Sequence, residues 1–214
     1  MVGYDEADSS CIGVALLYGD QSFMIAKKNA SYNGTSKFKW GTDNLDLSLP
    51  NYVQVSALLS AGYLPEEDGT YNGTSHISGN VIDWTGGALS DFNGKYNTEI
   101  ISNNTEDGDD YMSNVLKAFN EGISGQNNEG FNDWYIPSCG QLGLIFINNN
   151  TINNYLYKIG GTGMAEVFLT STEINATLGW CISFSYDYGS MTSSSSYAHN
   201  RKSYASHVRF IRDI

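Results

Sequence analysis

The fold is decided by residues 170–214, TSTEINATLGWCISFSYDYGSMTSSSSYAHNRKSYASHVRFIRDI. Trp180, Ile182 and Phe184 alternate with Cys181, Ser183 and Ser185, the period of a strand with one buried and one presented face. Val208, Phe210 and Ile211 mark a second apolar strand over 208–212. Between the two runs a segment of Ser, Tyr, His and Asn with almost no aliphatic residue. Such a segment cannot bury enough apolar surface to make its own core, so it is expected to lie on the frame that the two strands belong to. Clustered Tyr, Ser, Asn and Gly are also the composition of antibody-like contact surfaces. Tyr gives large contact area at low entropy cost, and Ser and Asn give adaptable hydrogen bonds. The stretch therefore predicts a binding surface presented on strands that pin both of its ends.

Upstream, residues 11–30 read as a hairpin. Val14, Leu16 and Leu17 precede a Gly19-Asp20 turn, and Phe23, Met24 and Ile25 follow it. Residues 31–87 carry turn signals around one short helical pattern at 53–59 and predict long loops packed on the frame. A helix is predicted over 111–121, with Met112, Val115, Leu116 and Phe119 on one face, Asp109 or Asp110 as its cap and Gly122 past its end. A second follows Pro137, opened by a capping box of Ser138 and Gln141. A third has Thr151 as its expected cap, Ile152, Tyr155, Leu156 and Ile159 on one face, and Gly160-Gly161 as its stop. Strands are predicted at 167–169, 180–184 and 208–212. A hairpin, then helices, then strands gives an α+β domain with helices packed on a mostly antiparallel sheet.

The chain has 214 residues, which suits one large domain, 1–214. Its net charge of −12 argues against nucleic acid as a partner, because phosphate binding calls for a basic face. No apolar run is long enough to cross a bilayer, so no membrane insertion is expected. The first residues lack the basic and apolar regions of a signal peptide. Cys11, Cys139 and Cys181 show no paired spacing and no neighbouring His, which argues for free thiols rather than a zinc site. Asp107, Asp109 and Asp110 lack the spacing of a calcium loop. The serines at 193–196 near His199 have no orienting acid and make no triad. No metal, no cofactor and no catalytic residue is expected.

Several motifs in order carry a family resemblance. Residues 131–138, FNDWYIPS, followed by Gln141-Leu142, resemble the helix start of bacterial C-type-lectin-fold domains, including the variable proteins of diversity-generating retroelements. Residues 91–98, DFNGKYNT, together with Ser171-Thr172-Glu173, Gly179-Trp180 and the terminal VRFIR at 208–212, are similar to the same family. The match is strongest over 91–214. It implies a C-type lectin fold, two main helices on mixed, mostly antiparallel sheets with long inserted loops, a loop-rich N-terminal part (1–90) and a variable-type surface at 174–207. Gln141 stands where the family often has Glu, and the calcium motifs and paired cysteines of the eukaryotic lectins are absent.

In that family a reverse transcriptase rewrites adenines in the last stretch of the gene, so a varied codon reaches many residue types but never Lys, Glu, Gln, Met or Trp. Residues 174–178, Cys181, Ser183, Tyr186, Tyr188, Ser190, 192–201 and 204–207 are all reachable types, whereas Trp180, Met191 and Lys202 are not and belong to the frame. The resemblance implies a non-enzymatic binding protein on a phage virion or bacterial cell surface, with a protein or glycan on a target cell as partner. The contact set it implies is Asn175, Thr177, Leu178, Cys181, Ser183, Tyr186, Tyr188, Ser190, Thr192, Ser194, Tyr197, His199, Arg201, Tyr204 and Ser206. Two alternatives stand beside it. One is a relative of the formylglycine-generating oxidases, which needs a reactive cysteine pair that nothing in the sequence brings together. The other is an adhesin with a fixed ligand.

Overall fold

The computed structural model describes residues 10–50, 87–106, 108–126, 128, 130–184 and 197–214, the last with the backbone alone at 197–200. The helical pattern expected at 53–59 lies outside them. The N-terminal hairpin forms as its pattern predicts. Strand β1 (Gly13–Tyr18) pairs antiparallel with β2 (Gln21–Ala26), and the last pair, Tyr18 with Gln21, leaves Gly19-Asp20 as the turn. Gly19 has φ 57°, a left-handed conformation that glycine adopts without steric cost.

Among the described residues the strands make two three-stranded sheets, both antiparallel. In the first, β2 also pairs with β6 (Ile211–Asp213), so the two ends of the chain share a sheet of order β1-β2-β6. This last strand is shorter than the expected 208–212. Val208 and Phe210 lie just before it, and their carbonyls accept the amides of Ala30 and Ala26, each at 2.9 Å. The second sheet has order β3-β4-β5, from β3 (Val167–Glu173), β4 (Leu178–Ser183) and β5 (Tyr197–Arg201). Strand β5 was not expected, because its sequence YAHNR has no aliphatic pattern. Its ladder partners in β4 make it a strand.

The described residues form four helices, α1 (Gly94–Asn104), α2 (Met112–Asn120), α3 (Cys139–Ile147) and α4 (Asn149–Lys158). The stripe Met112, Val115, Leu116, Phe119 is buried as predicted. The expected caps of α2 are not used. Tyr111 occupies the N-cap without a side-chain bond, Asp109 accepts from Asn33 at 2.7 Å, and Asp110 pairs with Lys39 at 2.6 Å. The capping box of α3 is present in both directions. Helix α4 starts at Asn149, so Thr151 lies in its first turn and is not its cap.

The β3–β4 pair is covered on both faces. Trp180, Ile182, Phe168 and Phe184 face one apolar cluster with Leu142, Ile145 and Leu156 of α3 and α4. Leu169 and Cys181 face another with Phe38, Trp40, Val115, Phe119, Val208 and Phe210. This corrects the half-buried strand read from the alternation at 180–185. Cys181 is 1% exposed and Ser183 8%, so neither reaches a surface. Small polar side chains in a strand mark a presented face only when nothing packs on them, and here the 38–40 segment and α2 do.

The family-like motifs meet at one buried residue, Asp91. Asp91 accepts from Asn97 Nδ2 (2.9 Å), Thr172 Oγ1 (2.7 Å) and its near neighbour Asn93 N (2.9 Å), and its carbonyl accepts from Ser138 Oγ (2.7 Å) and Gly140 N (2.9 Å). A Cβ on Gly140 would stand 2.4 Å from the Asp91 carbonyl, so glycine is required where the start of α3 touches this loop. Residues from α1 and β3 are thus tied to the Asp91 side chain, and the start of α3 to its backbone carbonyl.

Candidate binding surface

The described flanks of the C-terminal stretch begin at the β3–β4 turn. Asn175 Oδ1 accepts the amides of Thr177 and Leu178, both at 2.9 Å, and the side chain locks the turn in the way Asn commonly does. Strand β5 then runs antiparallel to β4, with Leu178 opposite Arg201, Trp180 opposite His199 and Ile182 opposite Tyr197. After β5 the chain turns back through Tyr204, whose amide bonds the Arg201 carbonyl at 2.9 Å. Residues 206–208 then pass between two segments. The Ser206 amide and carbonyl both pair with Phe38, and His207 pairs with Val167 and Leu169 of β3.

Asn175, Arg201 and Tyr204 are exposed, Tyr204 by 56%, and Thr177 and Leu178 are half-buried. Arg201 lies 4.0 Å from Asp43, which also accepts from Ser203 Oγ at 2.9 Å, so the 41–49 segment borders this surface. Three of the expected contact residues are inside instead. Cys181 and Ser183 are covered as described above, and Ser206, 6% exposed, is drawn in by its ladder with Phe38. Ile174, another reachable type, is buried as well. Tyr186, Tyr188, Ser190, Thr192 and Ser194 lie outside the described residues. Tyr197 and His199 are placed by backbone pairing alone.

Under this surface lies a pair of charges that pattern reading missed. Lys202 and Glu173 form an ion pair with both side chains 0% exposed. The Lys202 ammonium also bonds the Leu45 carbonyl and sits 4.2 Å from the centre of the Trp40 ring, while Glu173 Oε1 accepts from Leu47 N at 3.3 Å. Burial pulls the Lys202 ammonium below its ordinary range, and the hydrogen bond and charge of Glu173 push it back up. Trp40 is fixed in turn by its Nε1–H bond to the Thr170 carbonyl (2.8 Å) and packs against Gly179, where a Cβ would come within 2.9 Å of the ring. The end of β3, the end of β5 and the 41–49 segment are therefore joined at one point. The signal available in sequence was Lys202 itself, a lysine that the coding rule of the resembled family cannot produce.

The two cysteines of the oxidase alternative are buried. Burial pushes the Cys139 thiol well above its ordinary range, helped by the Asp91 charge, and pushes Cys181 up to about 12. Neither is a ready thiolate, the form that reacts. Among the described residues no group of His, Cys, Asp or Glu is arranged to hold a metal ion, and no helix is long and apolar enough to cross a membrane.

Among the described residues, four helices and small antiparallel sheets define an α+β protein. No family model matches the chain, and no curated protein matches it. Among solved structures it is similar to a fimbrial protein from Bacteroides ovatus, with a TM-score of 0.51 at 14% identity, over 90% of this chain and 36% of that one. At that identity the likeness concerns the fold, and the chain spans about a third of the length of the fimbrial protein.

Proposed function

We propose that the protein is a non-enzymatic binding protein of the C-type lectin fold, displayed on a bacterial or phage surface, whose C-terminal surface meets a protein or glycan target and is diversified as in retroelement variable proteins. One observation carries the reading. Within a single stretch, the described residues that adenine rewriting cannot produce, Trp180 and Lys202, are wholly buried, while Arg201 and Tyr204 beside them are exposed. The convergence of the DFNG, PSCGQ and STE segments on Asp91 supports the fold, since residues that resemble one family in sequence also serve one structural purpose here. The pairing of the first and last strands fits it too. The fimbrial likeness agrees with a surface role, and the buried, protonated thiols favour binding over thiol oxidation.

Deep sequencing of the gene's last stretch in its natural population tests this. The expected result is substitution at Asn175, Thr177, Arg201 and Tyr204 and in the 186–199 run, with Trp180, Glu173 and Lys202 invariant, together with a near-copy of the stretch close by. Variation spread evenly over codons 170–214, or none at all, would remove the diversification reading.

A further inference from the structure

A cleft of about 530 Å³ opens where the β1–β2 turn meets the start of α1 and the end of β6, and none of its lining residues belongs to the 174–207 surface. Its floor is already hydrogen-bonded. Tyr135, 3% exposed, donates its hydroxyl to Asp213 Oδ1 at 2.7 Å and accepts from Gln141 Nε2 at 3.1 Å, and Lys95 holds the other Asp213 oxygen at 3.0 Å. The rim has a different character. Tyr96, 58% exposed, and the half-buried Phe92 offer aromatic surface, and around them stand the exposed side chains of Asp20, Glu99 and Asn93 with the half-buried Gln21.

The charges narrow the ligand. Lys95 and Asp213 neutralise one another, which leaves Asp20 and Glu99 at the rim to repel phosphate, sulfate or uronate. Carboxylate acceptors beside amides that both donate and accept suit hydroxyl groups, each of which is a donor and an acceptor at once. An open aromatic ring takes the C–H face of a pyranose as it takes any apolar surface. Its volume lies within the range of ligand clefts, and an aromatic rim with a few placed polar groups suits a bound ligand. We infer that this cleft is a second binding site, for a neutral saccharide, separate from the C-terminal surface.

The test is a titration of the whole chain, followed by amide NMR shifts, with maltotriose, cellotriose, mannotriose and tri-N-acetylchitotriose. Trigalacturonate and the trimer of glucosamine serve as the anionic and cationic comparisons. At least one neutral trisaccharide should shift the amides of Gln21, Asn93 and Tyr96. Tyr96→Ala should weaken it about tenfold, Glu99→Gln and Asp20→Asn should weaken it as well, and Arg201→Ser with Tyr204→Ser should leave it unchanged. These side chains are exposed, so folding is checked by an unaltered thermal midpoint. The inference fails if no neutral trisaccharide binds at millimolar concentration, or if a charged trimer binds better. It fails too if binding survives Tyr96→Ala and Glu99→Gln together, or is lost with Arg201 and Tyr204 instead. The last result would place saccharide binding on the proposed C-terminal surface and leave that reading standing.

Discussion

Lys202 and Glu173 are paired with both side chains withdrawn from solvent, at the point where β5 ends and the exposed return through Tyr204 begins. A buried pair of this kind is costly to break and contributes little when replaced whole. Lys202→Met or Glu173→Leu alone should each cost about 3–5 kcal/mol in urea unfolding, because each leaves an unpaired buried group. Lys202→Met with Glu173→Leu should recover most of that loss. A double variant as unstable as the sum of the singles would show that the two do not act as a pair.

The contact of Gly140 with the Asp91 carbonyl gives a second expectation. A methyl group there has no room, since the obstacle 2.4 Å away is backbone. Gly140→Ala should destabilise by about 1–3 kcal/mol, as overpacking does, although alanine is the better helix former. Gly125→Ser, in open space, tests a different property, the left-handed conformation at φ 76°, and should cost less. A Gly140→Ala protein as stable as wild type would mean that α3 does not sit on the Asp91 loop.

The thiols give a third. In the native protein a thiol reagent should label Cys11, which is half-exposed, while Cys139 and Cys181 react only after unfolding. Mass spectrometry of native and urea-treated samples reads the difference. Fast native labelling of Cys139 or Cys181 at neutral pH would reopen the oxidase alternative.

Much of this fold could be read from local pattern, and the failures have local causes. Met112, Val115, Leu116 and Phe119 announce α2, and Ser138 with Gln141 announces α3, because an amphipathic stripe and a capping box are written within one or two turns. Helix α1 has no such stripe. Ile101 is its one large aliphatic side chain that is fully buried, and Asn97 and Thr98 are buried through hydrogen bonds to Asp91 and to the Gly94 and Ile136 carbonyls. Strand β5 exists through its ladder to β4, which composition does not record. Cys181 and Ser183 were read as presented because the alternation was clear, but period alone cannot tell a solvated face from one covered by a distant segment. The same limit applies to the binding surface. Arg201 and Tyr204 were legible as exposed and Lys202 as buried, whereas its partner Glu173, far off in sequence, became visible only in three dimensions.

The central claim is that one stretch combines a fixed frame with a replaceable surface, and thermal unfolding measures it most directly. Arg201 and Tyr204 changed together to Ser should shift stability little, since both are exposed and surface substitutions usually fall within about 0.5 kcal/mol each. Trp180→Ala, emptying a site with 0% exposure, should cost roughly 3–5 kcal/mol. A double serine variant that unfolds at a lower temperature than Trp180→Ala would contradict the division of this stretch into frame and surface.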